Sequence, residues 1–368
     1  MINKDDLNLL CCVDCGGDIH IVSESRNKPY AQLVTCASCG RHYPILNGVA
    51  VMFRKEVLLD YITEEESCQI KQLGWEKCLD GGRQSGHAHA LQMAVAENWE
   101  YQWNEVAGWD SSDYTRHDSF AGSRAFWNFI QIDSMSVREK IALVTCGGLG
   151  REAYHLLMAG CHRVIVNEIG VEIYRIPEMI VDAGDRLLLI RSDATYLPVK
   201  TAVVDIAICD HALQHIVGYR QAYGELVRTT RAGGSVAVCV YSHENNFIMN
   251  HIVEPSKLLV HHLPLRLQRL LCWPVAVILY LVIHGIYKPA AKYKNMSCLL
   301  PLFSHMIFWS ECKFGFLWMA VFDLVHAPVS RHFRKAEMEE LAAEHGLEIK
   351  RLINTNGTLW SLVTAKPT

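Results

Sequence analysis

Ala142-Leu143-Val144-Thr145-Cys146-Gly147-Gly148-Leu149-Gly150 decides the fold of this chain. An apolar run of strand length (142–145) ends in a glycine-rich turn. A helical pattern follows, with Ala153, Leu156, Leu157 and Ala159 on one face, and stops at Gly160. Strand, glycine turn and helix form the first unit of a doubly wound nucleotide-binding sheet, where the turn lets the backbone approach a ligand at the helix N-terminus.

Further strand-like runs lie at 163–167, 187–191, 203–209 and 235–241, so a βα alternation spans 137–244. The second run ends at Glu168, 18 residues past Gly150, where a carboxylate can accept hydrogen bonds from both hydroxyls of a ribose. The third is followed by Asp193-Ala194, and Asp193 is placed to accept from an adenine amino group. The fourth is followed by Asp210-His211. Segments 347–354 and 359–364 read as a closing hairpin. Gly148-x-Gly150-x-x-Ala153 also fits the dinucleotide fingerprint, so a nicotinamide cofactor must be weighed against a nucleoside-type one.

Upstream, Cys12-x2-Cys15 and Cys36-x2-Cys39 are separated by 20 residues. Two such pairs on tight turns offer four thiolates to one tetrahedral ion, so Cys12, Cys15, Cys36 and Cys39 are expected to hold a closed, structural zinc.

Composition bounds the rest. The chain has 368 residues, half of them hydrophobic, and a net charge of −4. That is ample for a core, and the absence of a basic excess argues against a nucleic-acid partner. Residues 1–10 do not read as a signal peptide. The 14 cysteines are therefore expected free, buried or metal-bound in a cytoplasmic protein. The expected units are a zinc ribbon (1–55), a helical cap (56–136), the cofactor core (137–244), an apolar helical insertion or lid (245–325), and a helix with a strand hairpin (326–368). Stretch 270–286 is 17 residues of nearly unbroken apolar sequence flanked by Arg266, Arg269 and Lys288. A true span would strand the final hairpin across the bilayer. A lid is expected, with peripheral membrane contact through 257–290 as runner-up. Oligomeric state is not legible.

Several motifs resemble class I S-adenosylmethionine-dependent methyltransferases of the type 11 kind. Val204 to His215, VDIAICDHALQH, resembles their fourth-strand motif. Trp99-Glu-Tyr-Gln-Trp103 resembles an aromatic motif ahead of the sheet, and Phe322-Asp323, 331–340 and 346–349 are similar to the same branch near its end. The ribbon, ending Cys39-Gly-Arg-His-Tyr-Pro, resembles that of methyltransferase activator proteins. The resemblance implies a Rossmann-like seven-stranded doubly wound sheet closed by an antiparallel hairpin, favouring S-adenosylmethionine over a nicotinamide. It implies that Trp103, Cys146, Gly147, Gly148, Gly150, Glu168, Ile169, Asp193, Ala194, Asp210 and His211 line the cofactor. Val144 and Cys146 depart from the pattern, which has an acid and a glycine there.

A methyl acceptor commonly needs a base near neutral pH. His211, Tyr241, His243 and His326 are the candidates, with His211 and His215 expected four apart on one helix and His215 read as packing. His87 and His89 read as a polar stretch. The expected substrate is a small apolar or amphipathic molecule: a natural product, lipid or glycan precursor. A repurposed fold with non-methyl chemistry, non-catalytic binding, and an RNA methyltransferase are the alternatives.

Overall fold

The computed structural model describes residues 2–24, 31–106, 111–115, 120–260, 262–293 and 299–368. Residues 25–30, 107–110, 116–119, 261 and 294–298, within the stretches read as ribbon, cap and insert, lie outside them.

The five apolar runs of the core form β5 (Ile141–Thr145), β6 (Arg163–Glu168), β7 (Leu187–Arg191), β8 (Val204–Asp210) and β9 (Thr230–Tyr241). Their pairing is parallel, in the order β7-β6-β5-β8-β9. Every residue of β8 is buried, as expected of a strand covered by helices on both faces. The hairpin β10 (Glu348–Thr355) and β11 (Leu359–Ala365) closes this side, with β11 antiparallel between β9 and β10. The chain enters mid-sheet at β5, winds outward to β7, then returns to β8. The order therefore reverses between β5 and β8, which puts a ligand crevice at their carboxyl ends.

The sheet is larger than the seven strands expected. Among the described residues, β1 (Ile19–Glu24), β2 (Gln32–Cys36), β3 (His42–Leu46) and β4 (Val49–Val51) form an antiparallel meander. β4 pairs in parallel with β7, through Val49↔Leu189, Ala50↔Ile190 and Val51↔Arg191. One sheet of eleven strands results. The physical reason is the open edge of β7, whose unpaired backbone groups the ribbon's last strand satisfies.

Helices flank the sheet. Arg151–Met158 buries Ala153, Leu156 and Leu157, the face read from the sequence. In the cap, Glu64–Gln72 is tied to the core by Glu66, which accepts from Arg191 Nη1 (2.7 Å) and Tyr174 Oη (2.7 Å). The insert carries Glu254–Val260, Leu265–Val282, Phe303–Ser310 and Phe314–His326. Leu265–Val282 continues through a wide turn, Ile283–Tyr287, into Lys288–Ala290. The apolar helix is thus 26 residues long, not 17, with Pro274 inside it. By length and composition alone it could cross a membrane. The hairpin that follows it lies in the same sheet as β5–β9, which argues against a span.

Candidate active site above the first and fourth strands

A cavity of about 740 Å³ lies over the carboxyl ends of the strands. Its floor is the Cys146–Gly147–Leu149 turn, Glu168 and Ile169 after β6, Asp210 and His211 after β8, and Tyr241 ending β9. Trp99 and Trp103 of the cap form one wall. The roof is apolar, with Val275, Ile278, Met306, Phe308 and Phe316 from the insert.

The turn is held by Glu168. Its Oε2 accepts from the Gly148 amide (2.8 Å), and its Oε1 from the amides of Ile169 (2.7 Å) and Gly170 (3.2 Å). Burial pushes the Glu168 carboxyl up, against the pull of those amides. Cys146 sits at φ +55°, a left-handed conformation that explains why glycine is the usual residue there. Gly148 also has positive φ, and a Cβ on it would meet the Trp103 indole at 2.9 Å, so Trp103 closes directly over the turn. Val144 is fully buried in the core below; an acid at that position would be buried too.

Past β8, the chain does not continue as a helix. His211 stands at φ +54°, and Leu213–His215 is a single 3-10 turn, so His211 and His215 do not share a helical face as expected. Strain of this kind in a bulky residue persists where surroundings fix it. Here Nδ1 of His211 bonds Asp210 Oδ1 at 2.7 Å, its amide donates to Cys239 O (2.9 Å), and Phe129 meets the ring edge-on at 4.5 Å. Asp210 Oδ2 takes the buried Arg151 guanidinium, which also bonds Glu152 Oε1 (2.8 Å). Burial would push the Asp210 carboxyl up, but His211 and Arg151 outweigh it and hold it below the usual range. Asp210, His211 and Cys239 cluster closely enough to suit a metal, yet Arg151 already supplies the cation beside Asp210.

A second polar group has no site role in the sequence reading, where it is only part of the Phe322-Asp323 motif. Asp323, in Phe314–His326, accepts from Tyr241 Oη (3.2 Å) and lines the cavity. Burial pushes its carboxyl up to about 6. The available signal was that it is the one charged residue of that helix. His215 also lines the cavity. Its Nδ1 bonds Val329 O (2.6 Å), its buried Nε2 has no partner among the described residues, and burial lowers it to about 3, so it is a neutral acceptor.

Other expected residues lie away from the cavity wall. Gly148 and Gly150 are covered by Trp103 and Ile176 respectively. Asp193 Oδ1 accepts from the Thr195 amide (2.8 Å) and hydroxyl (2.7 Å), and Ala194 is buried beside it. His243 lies against Arg334 (3.3 Å). His326 is buried, stacked on Phe322 and bonded through Nδ1 to Phe322 O (3.1 Å). His87 and His89 open the helix His87–Tyr101 rather than a loose stretch, and His89 bonds Asp60 (2.8 Å).

The four ribbon cysteines converge. Sγ of Cys12 and Cys39 are 3.6 Å apart, those of Cys15 and Cys36 3.5 Å, and all four lie within 4.8 Å of one another. Tetrahedral thiolates at the usual zinc–sulfur length stand about 3.8 Å apart, so the set could hold zinc. Gly17 must lack a side chain here, because a Cβ would lie 2.5 Å from Ser38 Oγ.

Residues 144–238 match the methyltransferase domain family. The core is methyltransferase-like. No curated protein matches the chain. Among solved structures, the chain is similar to one from the complex between the Haloferax volcanii Trm112 methyltransferase activator and a methyltransferase. That match has 11% identity and a TM-score of 0.44, and covers 74% of this chain and 98% of the other. A Burkholderia thailandensis 1,6-didemethyltoxoflavin N1-methyltransferase with bound S-adenosylhomocysteine is 12% identical, with a TM-score of 0.44, covering 77% and 92%.

Proposed function

We propose that the protein is an S-adenosylmethionine-dependent methyltransferase acting on a small apolar or amphipathic molecule. One observation carries the reading. A single cavity joins the glycine turn, the His211–Asp210 pair and an apolar roof, so cofactor and acceptor sites are continuous. The residues fit a nucleoside cofactor. Glu168, held by three amides, keeps an acceptor lone pair on Oε2 for a ribose hydroxyl, and Gly147 brings bare backbone to the cavity wall. Trp103 covers the same end. The cofactor supplies an electrophilic methyl with its own leaving group, so the protein's work is positioning and deprotonation.

His211 is the base in this reading. Asp210 holds the Nδ1 proton, which leaves Nε2 as the basic nitrogen of a ring lining the cavity, and Arg151 keeps Asp210 ionised. Asp323, Tyr241 and His215 orient the polar end of the acceptor. The insert acts as a lid that excludes water. The ribbon cysteines hold a structural zinc, and the free buried thiols of Cys78, Cys161 and Cys239 suit a reducing cytoplasm.

Calorimetry with S-adenosylhomocysteine tests this. Saturable binding to one site per chain, weakened in Glu168→Ala and retained in His211→Ala, is expected. No binding of either S-adenosylmethionine or its product would discard the proposal. Binding without transfer to any acceptor would favour a repurposed fold, for which Val144 and Cys146 are the warrant.

A further inference from the structure

The helix Leu265–Val282 is apolar on both sides. It turns Gln268, Cys272 and Ala276 inward and leaves Leu267, Leu271, Ile278 and Leu281 in solvent, the last two 63% and 64% exposed. These four lie within one stripe of the helix, because 267, 271, 278 and 281 fall on one side at 3.6 residues per turn. A helix on the surface of a soluble protein carries polar residues there instead. Among the described residues most of the exposed large hydrophobics lie between Phe247 and Leu299, including Leu258 and Leu259, 75% and 78% exposed on the preceding helix.

The charge pattern of the same region is one-sided. Residues 255–310 contain six Lys or Arg and no Asp or Glu, in a chain whose net charge is −4. Apolar side chains with basic residues and no acids, and Trp273 and Tyr293 exposed among them, match an anionic lipid interface. A second copy of the chain would set the exposed Arg266, Lys288 and Lys292 against their own counterparts, whereas Lys257 is buried against Glu254.

The cavity reaches this surface. Ile252, Val275 and Ile278 line it and are also more than half exposed, so its wall is continuous with the outer apolar face. We propose that this face seats on an anionic bilayer and that the cavity draws its acceptor, an amphipathic lipid, directly from that bilayer. The lipid's chains would lie along the insert and its head would reach Asp323, Tyr241 and His211. The seating stands on the surface alone; the acceptor's identity rests on the methyl-transfer reading above.

Flotation of the full chain with vesicles tests the seating. Equal parts phosphatidylglycerol and phosphatidylcholine should carry the protein upward, and phosphatidylcholine alone should carry much less. Leu271→Glu with Leu281→Glu, both exposed and outside the cavity wall, should cut anionic-vesicle binding at least about tenfold. The variant's melting temperature and S-adenosylhomocysteine affinity should not change. Wild type that stays at the bottom, a variant that floats equally well, or a dimer that the two substitutions dissociate would overturn the seating. Cofactor binding that persists when flotation fails sinks this inference alone; flotation without cofactor binding sinks the methyl-transfer reading. With labelled S-adenosylmethionine and a bacterial total-lipid extract in vesicles, label should enter the organic phase. Label confined to water-soluble product would overturn the lipid acceptor.

Discussion

The ribbon and the insert are both additions to the seven strands contributed by residues 141–365, and they are attached by different means. The ribbon joins mainly through the backbone. β4 extends the sheet at β7, Leu10 bridges Val199, the Met52 amide donates to Arg191 O, and Asp6 pairs with Arg163. The insert joins through side chains. Tyr241 bonds Asp323, His305 Nδ1 lies 3.1 Å from Thr358 Oγ1, and Phe308 packs on Phe129. A backbone splice fixes register and buries an edge; a side-chain roof can enclose a cavity and still keep an apolar outer face. In the proposed function the first addition therefore serves stability, and the second what the cavity admits.

The largest effect is expected from removing metal from the ribbon. If the cysteines hold zinc, metal analysis finds one ion per chain. Cys12→Ser with Cys36→Ser, or a strong chelator, should then remove at least about 5 kcal/mol, since structural zinc binding is folding free energy. In a chain of this size that is about 6 °C or more in melting temperature. The insert's Leu271→Glu should leave it within a degree or so. Equal effects at the two places would mean that the ribbon is not the structural half of the pair.

Much of this was legible because buried parallel strands need no alternation. Runs such as 187–190 are apolar throughout, and a carboxylate at the end of the second run, Glu168, could be placed by counting. The cysteine quartet was legible from spacing. The ribbon–sheet splice was not, because Val49–Val51 is three residues long and its partner is about 140 positions away in the chain. The left-handed turn at His211 was misread because histidines four apart imitate a helix face, and backbone handedness leaves no mark in side-chain spacing. Asp323 was legible only as part of a motif, without a role, because its helix reads as plain core; its proximity to Tyr241 gives it one.

A smaller effect separates the insert's tie from the ribbon's. Burial raises the Asp323 carboxyl to about 6 in the folded chain, above the unfolded value of about 4. The folded state then holds the proton more tightly. That contribution is fully present below about 4 and lost as pH rises through about 6. In Asp323→Asn this component disappears, so urea titrations should show wild type losing stability relative to the variant between those values. A difference independent of pH would mean that the carboxyl ionises normally and that the roof is looser than described. Ribbon substitutions should leave this pH slope unchanged.

The smallest effect is expected in the core that both additions share. Cys146 adopts a left-handed conformation that costs a side-chain-bearing residue about 1–2 kcal/mol. Cys146→Gly relieves that strain but gives the unfolded chain more freedom, worth about 0.5–1 kcal/mol in the opposite sense. The net should be a stabilisation of no more than about 1.5 kcal/mol, read as a slight rise in the urea midpoint with an unchanged slope. Because Cys146 lines the cavity beside Gly147, the same variant should tighten S-adenosylhomocysteine binding if the thiol merely occupies space where glycine would leave room. Weaker binding would mean that the thiol contacts the ligand. In that case the departure from the usual glycine is part of how this site holds its cofactor.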